Sequence, residues 1–254
     1  MTTKTAQSSI EGQRILVTGA SSGLGAHFAR TLAARGARVA AVARRMAALE
    51  RLAAESDGHV VPLAMDVSDP ASVEAGVATA VSALGGLDAL VNNAGVATSG
   101  RAMEMAEADW QRVVEVNLSG VFRVARAAAC EMAERGGGAI VNIASILAFG
   151  TEPGLAAYAA SKAAVVHLTR NLALEWARHK IRVNALAPGY FPTEMNRDYL
   201  ASPAGEALCA RIPMRRFGRF EDLDAPLELL LGPGGTYITG VTLPVDGGHL
   251  LRPL

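Results

Sequence analysis

Arg14-Ile-Leu-Val-Thr18 leads without a break into Gly19-Ala-Ser-Ser-Gly23-Leu-Gly25, and this junction decides the fold. A short apolar run reads as a buried strand, and the glycines after it allow a sharp turn into the next helix. Main-chain N–H groups bared by such a turn, together with the helix N-terminus, favour a pyrophosphate. The same alternation continues along the chain. Further strands are expected at Arg38–Val42, Val60–Ala64, Asp88–Val91, Ala139–Ala144, Ile181–Leu186 and Ile238–Leu243. Helices are expected at Gly23–Arg35, Met46–Glu55, Pro70–Leu84, Glu107–Arg135 and Ala157–His179. Short apolar strands separated by helices make an α/β chain whose parallel sheet is covered on both faces.

The chain has 254 residues, half of them hydrophobic, with 24 basic and 24 acidic side chains. That length suits one substantial core. A neutral balance argues against nucleic acid or an anionic membrane as the main partner. Cys130 and Cys209 lie far apart, so a disulfide scaffold is not expected. His27, His59, His167, His179 and His249 form no ligand spacing, and no metal is expected. The N-terminus is polar and no apolar run is long enough to span a membrane. A cytoplasmic protein is expected, with residues 1–11 frayed and residues 12–254 forming one domain. Residues 189–220, with Pro192, Pro203 and Pro213, break the alternation and read as an excursion of the kind that covers a binding site.

Tyr158 and Lys162, in Tyr-Ala-Ala-Ser-Lys, stand four residues apart on an expected helix and so share a face. An ammonium beside a phenol favours phenolate, and a tyrosine brought nearer neutrality can exchange a proton with an alcohol. An isolated pair of this kind arises by chance, but this one follows Ser145 by thirteen residues.

The glycines are spaced Gly-x-x-x-Gly-x-Gly, and in this the chain resembles the short-chain dehydrogenase/reductase family. The resemblance covers roughly residues 12–249 and rests on motifs in the family's order. These are Thr18 to Gly25, Asn92-Asn-Ala-Gly95, Asn117, Ser145, Tyr158 with Lys162, Pro188-Gly189, and Pro244-Val-Asp-Gly-Gly248. It implies a single doubly wound Rossmann-type domain with a seven-stranded parallel sheet, and a nicotinamide dinucleotide as cofactor. Gly19, Ser21, Ser22, Gly23 and Leu24 then hold the pyrophosphate. Asp66 and Val67 meet the adenine edge, and Asn93, Ala94 and Gly95 line the adenosine ribose. Pro188, Gly189, Phe191 and Thr193 receive the carboxamide. Tyr158 is the general acid or base, Lys162 lowers its pKa and bonds the nicotinamide ribose, and Ser145 donates to the substrate oxygen. Asn117, placed inside a long helix, holds a water that links Lys162 to solvent.

The second strand ends at Ala43, where relatives that prefer NAD place Asp, and Arg44 and Arg45 follow. Guanidinium groups suit a 2′-phosphate. NADP is the favoured cofactor and NAD the alternative, with Arg44 as the phosphate partner and Arg45 the better candidate for a merely solvated residue. Leu147, Phe149, Leu155, Tyr190, Met195, Tyr199, Leu208 and Ile212 are the expected substrate contacts. They are mostly apolar, which favours a hydrophobic or extended ketone over a sugar, and the nearest likeness within the family, to 3-oxoacyl-thioester reductases, implies reduction of a 3-oxoacyl-type ketone. Oxidation of an alcohol, sterol or sugar is the alternative, and a non-catalytic NADP sensor the third reading. The likeness to 3-oxoacyl-thioester reductases, and the two long Ala-rich helices, imply a homotetramer, with a dimer as the alternative.

Overall fold

The computed structural model describes residues 10–194 and 196–251. Seven parallel strands form one sheet: β1 (Arg14–Thr18), β2 (Arg38–Ala43), β3 (Val60–Ala64), β4 (Ala89–Asn92), β5 (Gly138–Ile143), β6 (Ile181–Pro188) and β7 (Thr242–Val245). Their order is β3-β2-β1-β4-β5-β6-β7. The chain winds outward from β1 to β3 and then returns to place β4 on the other side of β1. Ligands of doubly wound sheets bind at the carboxyl ends of the strands where the order reverses.

Alternation along each strand builds the core on both faces. Ile15 and Val17 join one cluster with Phe28, Leu32 and Leu227. Leu16 between them joins the opposite cluster with Val77, Val124 and Met132. The first face is covered by α1 (Gly23–Ala34), α2 (Met46–Ala54) and α9 (Asp224–Leu231). The second is covered by α3 (Pro70–Leu84), α5 (Val121–Glu134) and α6 (Ala156–Trp176). Asp69 caps α3 by accepting from the Ala71 N–H, with Pro70 in the first turn.

The expected helix over 107–135 is not continuous. It runs as α4 (Glu107–Val114), a π-helical segment at Glu115–Gly120, and then α5. Such segments mark places where tertiary contacts outweigh helical regularity, often at functional sites. Here Gly120 packs so closely that a Cβ would stand 2.9 Å from the Val67 carbonyl. Asn117, fully buried, is drawn to the loop after β4.

Two further expectations are corrected. The last strand begins at Thr242 rather than Ile238, because Gly240 takes φ +77° and Ile238 turns back to bond Gly235. Of the N-terminal stretch expected to fray, residues 1–9 lie outside the described residues. Ile10 is buried in the core, and the following turn is fixed by a Gly12 N–H bond to Gly36. The excursion carries two short helices, α7 (Arg197–Leu200) and α8 (Pro203–Cys209). No helix among the described residues is long and apolar enough to cross a membrane.

Candidate active site

A cavity of about 440 Å³ opens at the carboxyl ends of the central strands. Every residue expected above to hold a dinucleotide lines it, as do Ser145, Tyr158 and Lys162. Its floor is knitted by Thr18, whose hydroxyl accepts from the backbone N–H groups of Asn93 and Ala94, each at 2.9 Å. The Asn93 amide returns a bond to the Thr18 carbonyl at 3.0 Å. This pairing brings the turn after β1 against the turn after β4. Gly19 has φ +67°, and a Cβ there would lie 2.9 Å from Ala94 Cα. A Cβ on Gly25 would lie 2.3 Å from the Gly19 carbonyl oxygen. Side chains at either position would fill the cradle or force it apart, so the turn fits a pyrophosphate approaching the backbone.

The two arginines after Ala43 are held differently. Arg45 lies over the glycine turn and donates to Ser22 Oγ at 2.6 Å and Ser21 Oγ at 3.2 Å. Arg44 reaches outward with 71 % of its side chain exposed, 4.0 Å from Asp66. Asp66 accepts from the Ser68 hydroxyl and backbone, which holds its pKa below the usual carboxylate range against the effect of burial, and Arg44 adds to the lowering. Both arginines line the cavity beside Ala43.

Tyr158 and Lys162 share one face of α6. Lys162 Nζ donates to the Ile143 carbonyl at 2.7 Å and lies 5.7 Å from the Tyr158 ring centre. Burial lowers its pKa to about 8. Burial pushes the Tyr158 phenol up, and a hydrogen bond with Ser145 pulls it back in part. The Leu147 N–H donates into Ser145 Oγ at 3.1 Å. The serine proton is thereby free to point at Tyr158, the arrangement that favours phenolate.

Asn117 does not line the cavity. It accepts from Val96 N–H at 2.8 Å and donates to Val96 O at 2.9 Å and to Ser161 Oγ at 3.1 Å. Ser161 in turn donates to the Tyr158 carbonyl at 2.7 Å. Both amide hydrogens of Asn117 are thus taken by protein, so its side chain braces the site.

Thr193 stands over the glycine turn, its methyl 3.8 Å from the Cβ position of Gly23. Asn196 holds it there, accepting from Thr193 N–H at 2.8 Å and donating to the Phe191 carbonyl at 3.0 Å. Sequence reasoning passed over Asn196, whose side chain closes a turn back onto Thr193. The expected substrate residues behave differently. Leu147, Phe149, Leu155, Tyr190, Tyr199 and Leu208 do not line this cavity. Leu208 is buried in packing and Phe149 is exposed. Tyr190 and Ile212 line a second cavity of about 360 Å³, and Met195 lies outside the described residues. Glu152 and Arg211, which the sequence did not single out, both act on the Tyr190 hydroxyl and help to raise or lower its pKa, which burial carries to about 12.

Comparison with known proteins agrees with this arrangement. Residues 13–203 match the short chain dehydrogenase family. The chain is 42 % identical over 246 residues to galactitol 2-dehydrogenase (L-tagatose-forming) of Cereibacter sphaeroides, covering 94 % of this chain and 96 % of that one. It is 37 % identical over 245 residues to 3-oxoacyl-[acyl-carrier-protein] reductase of Thermotoga maritima, covering 95 % and 99 %. The crystal structure of a gluconate 5-dehydrogenase from Burkholderia cenocepacia, in complex with NADP and tartrate, superposes with a TM-score of 0.92 at 35 % identity, covering 97 % of this chain and 99 % of that one. With a phosphate cradle at the sheet's reversal point and a Ser145–Tyr158–Lys162 group on its wall, the chain belongs to the short-chain dehydrogenase family and is a nicotinamide-dependent oxidoreductase of CH–OH groups.

Proposed function

We propose that the protein interconverts a ketone and a secondary alcohol with NADP(H), in the direction of carbonyl reduction. The observation that carries this reading is the gathering of Ser145, Tyr158 and Lys162 on the wall of the dinucleotide-shaped cavity. A bound nicotinamide dinucleotide supplies or accepts the hydride. Tyr158 gives its proton to the carbonyl oxygen, and Ser145 donates a second bond to the same oxygen as negative charge gathers there. Lys162, fixed by the Ile143 carbonyl, presents its remaining hydrogens toward the cavity. NADP is favoured because Ala43 offers no carboxylate and two guanidinium groups border the cavity.

A hydrophobic or 3-oxoacyl ketone is the substrate that the likeness to 3-oxoacyl-[acyl-carrier-protein] reductase supports. A second reading, oxidation of a hydroxyl-rich alcohol, is supported by the likeness to galactitol 2-dehydrogenase (L-tagatose-forming). We also infer a homotetramer, with a dimer as the alternative, because Trp110 and Phe122 on α4 and α5 and Leu174 on α6 present apolar surface outward. The deciding experiment follows nicotinamide fluorescence across a panel of ketones and alcohols with all four dinucleotides. Wild-type turnover that is lost in Tyr158→Phe supports the reaction, and equal turnover by both proteins overturns it.

A further inference from the structure

The chain leaves β6 through Gly189 and enters the excursion by way of Phe191, Thr193 and Asn196, all four of which line the dinucleotide cavity. Thr193 is bonded through each of its polar groups. Its N–H donates to Asn196 Oδ1 at 2.8 Å, and its hydroxyl donates to the same oxygen at 3.1 Å. Its carbonyl accepts from the backbone N–H groups of Asn196 at 3.2 Å and Arg197 at 3.0 Å. Asn196 Nδ2 reaches the other way, to the Phe191 carbonyl at 3.0 Å.

These partners fix which end of the Asn196 amide is which. A backbone N–H only donates and a backbone carbonyl only accepts. The amide oxygen must therefore meet the Thr193 N–H, and the amide nitrogen the Phe191 carbonyl. The Thr193 hydroxyl then lies beside an oxygen that has no proton to give. It bonds that oxygen by committing its own single proton, which leaves the threonine oxygen with lone pairs alone. An unconstrained hydroxyl takes either part in a hydrogen bond. This one is an acceptor.

The dinucleotide reading brings the carboxamide of nicotinamide to this loop. A primary amide offers N–H donors at one end and a carbonyl at the other, and the two ends are nearly alike in shape. An acceptor-only threonine bonds the N–H end, whereas a carbonyl turned toward it is left without a donor, which is costly in a half-buried site. We propose that Asn196 is a positioning residue: by taking the Thr193 proton it reserves the threonine oxygen for the carboxamide N–H, and so sets which way round the nicotinamide ring lies. The proposal rests on the dinucleotide reading and adds the residue that orients the reacting ring.

Binding rather than turnover tests it. NADP+ is compared with its 3-acetylpyridine analogue, in which a methyl ketone replaces the carboxamide. Charge and carbonyl are kept, the shape is close, and the N–H donors are lost. Calorimetric titration of wild type is expected to give about tenfold weaker affinity for the analogue. In Asn196→Ala the Thr193 hydroxyl is free to turn its proton toward the analogue's carbonyl, and the two affinities should come within about threefold. Asn196→Asp still accepts from Thr193 and should restore the tenfold ratio, the effect of its added charge cancelling between two ligands of equal charge. Asn196→Leu, close to Asn in shape but without its polar atoms, serves where Asn196→Ala fails to fold. Thr193→Val should also close the gap, and adding Asn196→Ala to it should change the ratio no further. Wild type binding both ligands alike, or Asn196→Ala weakening both by the same factor, overturns the proposal and leaves the dinucleotide reading standing. If wild type binds neither NADP+ nor NAD+, the dinucleotide reading falls and this proposal falls with it.

Discussion

The side-chain amide of Asn117 donates to Ser161 Oγ at 3.1 Å and to the Val96 carbonyl at 2.9 Å. One buried residue thus ties a π-helical segment to the loop after β4 and to the helical turn that carries Tyr158 and Lys162. Replacing Asn117 by Ala leaves the Val96 N–H and C=O and the Ser161 hydroxyl short of partners. The cost is expected to be about 2 kcal/mol of stability, with a fall in turnover as the Tyr158 turn loses its brace. Thermal unfolding and steady-state kinetics of Asn117→Ala check both, and an unchanged melting temperature would count against the brace.

Tyr158→Phe removes the proton donor but not the ring that lines the cavity. Turnover should fall by orders of magnitude while dinucleotide affinity stays close to that of wild type. Lys162→Ala should weaken both, since its ammonium is the anchored group nearest the tyrosine face. Fluorescence titration beside initial rates separates the two effects.

Lys162 also predicts a pH dependence of stability. Its pKa is lowered by burial from 10.5 to about 8. Below pH 8 both folded and unfolded chains hold the proton, and the folded chain bears the full cost of the buried charge. Between pH 8 and 10.5 the unfolded chain still holds the proton that the folded chain has lost, so this lysine's contribution rises with pH. Relative to Lys162→Met, which cannot titrate, wild type should gain about 3 kcal/mol across that window. Urea unfolding of both proteins at several pH values measures the difference, and parallel curves would show that the lysine is not desolvated.

The sheet and the phosphate turn were legible in the sequence because their signals are local. Short apolar runs mark the strands, and Gly19, Gly23 and Gly25 stand close together in one turn after the first of them. What escaped reading depends on partners far along the chain. The π-helical segment exists because Val96 and Ser161 pull on Asn117. The last strand starts late because Gly240 turns before it. Arg45 rather than Arg44 lies on the turn because Ser21 and Ser22 hold it.

Assembly gives a further prediction. Trp110 and Phe122 are more than a third exposed, and Leu174 is 81 % exposed. These are outward faces of the helices expected to pair across a two-fold axis. Leu174→Glu and Phe122→Glu should lower the oligomeric state without unfolding the chain, as read by sedimentation velocity. A wild type that sediments as a monomer at micromolar concentration would sink this reading.

Cofactor preference is the sharpest expectation, because feature and measurement lie close together. Ala43 leaves no carboxylate to repel a 2′-phosphate, Arg44 is free to swing from its long contact with Asp66, and Arg45 is already seated over the turn. A charge-assisted bond lost from such a phosphate costs on the order of 1.5–3 kcal/mol, roughly ten- to a hundredfold in affinity. Arg44→Ala should weaken NADPH by about that factor and leave NADH almost unchanged. Arg45→Ala should weaken NADPH too, and also NADH to a smaller degree, since Ser21 and Ser22 lose the partner that orders the phosphate turn. Adding Ala43→Asp to Arg44→Ala should carry the preference to NADH, through repulsion of the phosphate and new acceptors for the ribose hydroxyls. Raising salt should erode the NADPH advantage of wild type, because Arg44 is largely exposed and its pairing is screened. Equal wild-type affinity for NADH and NADPH at low salt would show that neither arginine meets the 2′-phosphate.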